Sequence, residues 1–204
     1  MPAMEWTAEL RDGTRARLRP LEPTDRDTLA RGFEGLSDES RYRRFLSPLP
    51  RLTRTQLDYL TQVDHHDHEA ILAVTGQDEP MGVARYVRTD PDGDEAEVAV
   101  TVVDRWQGRG LGTVLLERLT ERAREEGVHR YTATALASND DMIDLLEHVG
   151  DAETRNAADG VVEMRVALPL ETDDEAPLRR LLRRAAAGNL FVRLLGREGR
   201  DNDA

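Results

Sequence analysis

The stretch Gln107-Gly108-Arg109-Gly110-Leu111-Gly112 places three glycines and two donor side chains within six positions. Glycine runs lose backbone entropy on folding and bury no side chain. Their use here implies that something approaches the main chain closely. A strand pattern precedes the run at 97–103 and an amphipathic helix pattern follows it from Leu111. Consecutive N–H groups opening a helix hold anions, because they lack intrahelical acceptors and the macrodipole is positive there. The chemistry implied is pyrophosphate binding by main-chain amides, with Gln107 and Arg109 as supporting donors. Two nucleotide loops fail on spacing. The glycines do not follow G-x-G-x-x-G, and a Walker loop needs a lysine that the chain lacks.

A second cluster, Asp64-His65-His66-Asp67-His68-Glu69, carries metal-ligand residue types. Neighbours at i and i+1 point apart on a regular element, and His129 and His148 fall in separate elements. The segment therefore reads as a solvated turn before a strand, with a histidine available to line a substrate mouth and no metal expected. Arg41, Arg43 and Arg44 read as a helix surface, with Arg43 or Arg44 placed to contact a phosphate or an acidic substrate.

The elements that must position these groups follow from periodicity. Alternation marks a strand at 14–21. Thr24 resembles an N-cap ahead of a helix over 25–36, Ser37 caps a short helix ending before Pro48, and 53–62 is a third helix. Runs at 69–75, 80–89 and 94–103, separated by "TGQDEP" and "TDPDGD", predict an antiparallel meander. Leu115, Leu116, Leu119 and Ala123 recur at helical spacing over 111–126, and Gly127 supplies a stop. A strand at 129–135, a helix at 139–149 and strands at 152–157 and 161–168 complete an α+β class: a mixed, mostly antiparallel central sheet flanked by helices. Alternation in the third meander strand puts Glu97, Ala99 and Thr101 on one face and Val98, Val100 and Val102 on the other.

"VVDRWQGRGLG" resembles the acyl-CoA pyrophosphate loop of the GCN5-related N-acetyltransferases (GNAT), whose pattern is Gln/Arg-x-x-Gly-x-Gly/Ala after a strand. Gln107, Gly110 and Gly112 take its fixed positions. "NDDMIDLLEHVG" is similar to a second segment of that family, with Asn139 at its asparagine and Gly150 at the glycine ending its helix. The resemblance covers roughly residues 14–168. It implies the GNAT fold, acetyl-CoA as cosubstrate and an amine acceptor. Gln107, Gly108, Arg109, Gly110, Leu111, Gly112 and Thr113 would hold the pyrophosphate, while Val102 and Val103 would pair with the pantetheine arm. Asn139 would bond the pantetheine or cap its own helix. "LSDESRYRRFL", "VDHHDHEAILAV" and "AEVAVTVVDRWQGRGLG" resemble, more narrowly, bacterial protein lysine acetyltransferases that regulate acyl-CoA synthetases. That likeness implies Glu97 as the catalytic base and a protein lysine as acceptor. Small amines stay open, as does a non-catalytic acyl-CoA-sensing or interaction module. Many relatives use a tyrosine to protonate the thiolate; Leu146 stands at the matching place.

The bulk numbers bound these readings. The 204 residues are 39% hydrophobic and 33% charged, with a formal net charge of -12. Such a field disfavours nucleic acid and attracts cationic substrates such as amines. All 28 basic residues are arginine, and cysteine is absent. With no apolar signal segment near the start, a cytoplasmic location is expected. Residues 1–170 read as the catalytic domain. Residues 171–204 read as an acidic linker, an arginine-rich amphipathic helix and a disordered end. Leu178, Leu181, Leu182 and Ala185 stripe that helix, which is expected to dock on the domain rather than use 176–196 for a membrane or partner.

Overall fold

The computed structural model describes residues 5–156 and 160–169; the expected C-terminal helix lies outside them. In chain order the elements are β1 (Trp6–Glu9), β2 (Arg15–Pro20), α1 (Arg26–Glu34), α2 (Asp38–Phe45), α3 (Arg54–Thr61), β3 (His68–Val74), β4 (Pro80–Arg88) and β5 (Glu95–Val102). Then come α4 (Leu111–Glu125), β6 (Arg130–Leu136), α5 (Asp140–Val149), β7 (Asp151–Asn156) and β8 (Val161–Ala167). The strands form one sheet in the order β1-β2-β3-β4-β5-β6-β8-β7. Every neighbouring pair is antiparallel except β5 and β6.

Two apolar layers hold helices to the sheet. On one face α4 buries Leu111, Leu115, Leu116, Leu119 and Ala123 against Ile71, Ala73, Ala84, Tyr86, Ala96 and Val98. On the other face Leu29 of α1, with Leu57 and Leu60 of α3, covers Ala70, Leu72 and Val74. The single-residue alternation of β3 and β4 feeds both layers, so these central strands are buried almost throughout. Burial of each leucine of α4 is worth roughly 2–5 kcal/mol against truncation to alanine.

Local signals terminate the elements. Gly127, at φ +78°, donates to the Arg124 carbonyl, and Val128 donates to that of Ala123 at 2.7 Å. Together these bonds make a Schellman ending for α4. Ser37 Oγ accepts the Ser40 N–H at 3.2 Å and starts α2. Thr53 and Gln56 cap α3 reciprocally. Thr24, expected as a cap, instead lies in a 3-10 turn over Pro23–Asp25. Asp25 takes the N-cap position of α1 without a side-chain cap bond; its carboxylate instead accepts the Glu22 N–H at 2.9 Å and both Arg19 guanidinium arms at 2.6 Å. β1 was not anticipated. Its four residues pair only with β2 and are half exposed, leaving too short an alternation to read.

Candidate active site

The site is built where the sheet opens. β5 pairs with β6 only through Glu95–Glu97 against Arg130–Thr132. Beyond Glu97, β5 stays paired with β4 up to Val102 opposite Gly82, while β6 continues on β8. The two parallel strands therefore splay apart. The Val103 N–H donates to Met81 of β4 at 2.9 Å. By strand alternation, the main-chain groups of Val98, Val100 and Val102 face the opening. The Val102 carbonyl accepts from Gln107 Nε2 at 3.0 Å.

The glycine loop closes the upper end of this opening. A 3-10 turn over Asp104–Trp106 leads into Gly108 at φ +72° and Gly110 at φ +87°, a left-handed conformation that side chains resist. Gly110 is the N-cap of α4, and no acidic residue lies in that helix's first turn. Among the described residues, the N–H groups from Gly108 to Thr113 have no acceptor. Six consecutive donors thus meet the positive end of a 15-residue helix. That donor set fits a pyrophosphate.

Neither supporting side chain is free as expected. Gln107 Nε2 donates to Ser40 Oγ at 3.2 Å and Asp104 Oδ1 at 3.3 Å as well as to Val102. It ties the loop to β5 and to α2 rather than reaching outward. Arg109 pairs with Asp12 in the β1–β2 turn, lies 5.0 Å over the Trp106 ring, and accepts the Arg11 N–H on its carbonyl at 3.1 Å. The N–H and hydroxyl of Thr14, with Arg109 behind them, hold the Asp12 carboxyl below its usual range. Asp104 also accepts the Ser37 N–H at 3.0 Å. Although burial opposes it, hydrogen bonds from Ser37 and Ser40 hold Asp104 below the usual carboxylate range. The contacts of Asp12 with Arg109, of Ser40 with Gln107 and of Ser37 with Asp104 carried no signal in the sequence, because those partners lie 67 to 97 positions apart.

Glu97 is exposed and sits in register between Val87 of β4 and Thr132 of β6, at the point where the strands part. It shares its face with Arg85, Thr101 and the helices α1 to α3, in accord with the expected alternation. Burial lowers the Arg44 guanidinium of α2, and the Glu97 charge is near enough to oppose that lowering in part. Leu146 is fully buried in the α4-side core. Asn139 precedes α5 but makes no side-chain cap bond; only its carbonyl serves the helix, accepting from Met142 and Ile143. The capping role is not the one this side chain plays. Gly150, at φ -168°, needs no left-handed backbone. It is glycine for space, since a Cβ would lie 2.3 Å from the Ala167 carbonyl oxygen.

The histidine-rich segment is a turn organised by Asp64, whose Oδ1 accepts the N–H groups of His66, Asp67 and His68, each at 2.9 Å. Its imidazoles diverge. His65 meets Glu69 at 2.8 Å, His66 meets Glu126 at 2.6 Å, and His68 accepts from Arg85 at 3.1 Å. Among the described residues no three ligand-type side chains gather around one point.

The site is thus one splayed parallel pair in a mixed sheet, with a loop of unaccepted N–H groups at the head of the intervening helix. Comparison places it further. Residues 34–150 match the Acetyltransferase (GNAT) family, and the chain belongs to that family. It is 36% identical over 162 residues to the acetyltransferase Pat of Mycolicibacterium smegmatis, covering 79% of this chain and 48% of that protein. The chain thus spans about half the length of that relative. It is 32% identical to the acetyltransferase PA5475 of Pseudomonas aeruginosa over 80% of this chain and 89% of that one. The solved GNAT domain of S. lividans PAT superposes with a TM-score of 0.74 at 36% identity, covering 80% of this chain and 97% of that one. Among the described residues, no helix is long and apolar enough to cross a membrane.

Proposed function

We propose that the chain is an acetyl-CoA-dependent N-acetyltransferase acting on a primary amine, with a protein lysine as the preferred acceptor. The observation that carries this reading is the row of six unaccepted N–H groups from Gly108 to Thr113, set at the end of the splayed β5 edge. The cosubstrate supplies an activated thioester. In this reading the loop amides anchor its pyrophosphate, and the open edge at Val98, Val100 and Val102 pairs with the pantetheine amides; Val103, expected to share that role, has its N–H on Met81 and its carbonyl on Trp106. Asn139, with no helix bond to make, is available to the same arm.

Glu97 then takes a proton from the incoming ammonium, directly or through one water, so that the free amine attacks the thioester carbonyl. Its exposure at the mouth lets that proton leave to solvent. A thiolate is a tolerable leaving group, so Leu146 in place of an acid does not prevent turnover. The -12 net charge favours a cationic acceptor. The protein-lysine preference rests on the narrow resemblance and on relatives bearing the name Pat.

Calorimetry with acetyl-CoA and initial rates over a panel of lysine peptides, polyamines and aminoglycosides test the reading. The absence of lysine gives a clean background, because no side chain of the enzyme can take the label as an amide. A second reading, a non-catalytic acyl-CoA sensor, draws on the buried Leu146. It predicts acetyl-CoA binding without turnover and no change in Glu97→Gln.

A further inference from the structure

One cleft on the Glu97 face holds two guanidinium groups that, among the described residues, form no ion pair, with the Glu97 charge acting on Arg44 only from a distance. It lies between β4–β5 and the helices α1 to α3, and its walls include Leu29, Phe33, Phe45 and Leu72. Thr28 of α1, Thr101 of β5, Arg44 and Arg85 are its polar lining. Arg85 is only 6% exposed. Its Nη1 donates to the Leu60 carbonyl and to His68 Nε2, each at 3.1 Å, and both acceptors are neutral groups. Burial first, and the Arg85 charge second, hold His68 down at about 4. Arg44 lies 5.0 Å over the Phe45 ring.

Among the described residues neither arginine forms an ion pair. Elsewhere in the fold, buried or half-buried arginines are matched. Arg88 pairs with Asp67 at 2.9 Å, Arg19 with Asp25 at 2.6 Å, and Arg122 with Glu126 at 3.0 Å and Glu69 at 3.3 Å. Two cations sharing one apolar cleft repel each other, and burial together with Arg44 lowers Arg85 to about 9. Such an arrangement is costly unless an anion completes it.

We propose that this cleft binds a carboxylate borne on a short aliphatic group, held between Arg44 and Arg85. The walls suit the methylenes, and planar guanidinium forks suit the carboxylate. The inference rests on the reading that acyl transfer takes place on the Glu97 face. The carboxylate has two sources: the far end of a dicarboxylic acyl chain on the donor, or the acceptor's own acid group. For the donor source, the amine nitrogen forms a C–N bond to the acyl carbon as the C–S bond breaks. The ammonium proton goes to Glu97, the thiolate departs with the electron pair, and the second N–H proton, lost as the amide forms, passes through solvent to the thiolate.

Full-length protein is tested by calorimetry and initial rates in two arms. The donor arm compares succinyl-CoA with butyryl-CoA, which has the same chain length without the charge. The acceptor arm, run with acetyl-CoA, compares 6-aminohexanoate with its carboxamide. A preference of about tenfold or more for the charged partner in either arm, lost in Arg44→Gln and Arg85→Gln, is expected. The arm that responds identifies the source. Should Arg85→Gln fail to fold, Arg44→Gln decides alone. No preference in either arm, or a preference that Arg44→Gln leaves intact, overturns the inference. Failure of every CoA thioester to bind instead overturns the proposed function, on which the inference depends.

Discussion

The two sides of the splayed β5 strand are made of different material. On the side proposed for the donor, the loop from Gly108 and the first turn of α4 to Thr113 present main-chain N–H groups from adjacent residues. On the side proposed for the acceptor, Glu97, Arg44, Arg85 and Thr101 come from three elements and would act through side chains. A backbone site needs a local sequence that bends correctly, and glycine at φ +72° and +87° supplies it. A side-chain site needs tertiary packing to bring its members together. The donor side should therefore fail through conformation, and the acceptor side through charge and proton transfer.

The largest expected effect breaks the acceptor side alone. Glu97→Gln keeps the shape of an exposed strand residue but cannot take a proton, so kcat should fall by ~10²–10⁴-fold at neutral pH. Calorimetric affinity for acetyl-CoA should stay at the parent value. Equal losses in both measurements would mean that Glu97 organises the donor site, and the division between the two sides would collapse.

Next in size is a change on the donor side. Gly110→Val forces a β-branched side chain into the left-handed region, where a Cβ would also come within 3.3 Å of Arg11 Nε. Strain of about 1–3 kcal/mol in that conformation should re-aim the loop amides. Acetyl-CoA affinity is expected to drop by roughly 10–100-fold, while the ranking of acceptors by kcat is kept. Gly112→Ala is the contrasting control. Its Cβ would make ordinary contact with Leu145 at 3.4 Å, at a negative φ, so little should change.

The same division decides what the sequence revealed. α4 was legible because Leu115, Leu116, Leu119 and Ala123 keep helical spacing, and the loop because its glycines are contiguous. The face of Glu97 followed from alternation. Arg85 stayed invisible: inside "MGVARYVR" it reads as an ordinary strand cation, and only the covering by α1 to α3 buries it. The donor loop's own support was hidden for the same reason. Arg109 and Gln107 looked like ligands to phosphate, yet Arg109 donates to Asp12 and Gln107 to Ser40, both far off in sequence, as well as to nearby Asp104. Asn139 looked like a cap by type, and its backbone angles, φ -94° and ψ 67°, accompany a side chain that makes no cap bond.

A smaller effect probes the seam where the two sides meet. Asp104 accepts from Ser37, at the N-cap of α2, and from Gln107 of the loop. Asp104→Asn removes the charge that both donors address, and each charge-assisted bond is worth about 1.5–3 kcal/mol when well buried. Asp104 is only half-buried, so solvent screening reduces this to a few-fold rise in KM for acetyl-CoA. Because α2 also carries Arg44, the variant should alter KM for the acceptor in the same direction. A change in the donor KM alone would show that the two sides are energetically separate.

The smallest effect concerns stability rather than turnover. His68 has a folded-state pKa of about 4 against an ordinary 6.5, lowered by burial first and by Arg85 second, with His65 adding to this and Asp64 opposing it. Between those two values the unfolded chain binds a proton that the folded chain refuses. Stability from this residue is therefore full above about 6.5 and is lost as pH falls toward about 4. His68→Gln preserves an acceptor for Arg85 but does not titrate, so its Tm should decline less steeply than the parent's across that window. The Tyr59 ring, 5.6 Å from His68, should continue to cover the site in the variant. Since Arg85 lines the acceptor cleft and not the loop, acetyl-CoA affinity should show the same pH profile in both proteins. A parallel Tm slope in parent and variant would mean that His68 protonates freely in the folded state, and that Arg85 imposes no charge on its surroundings.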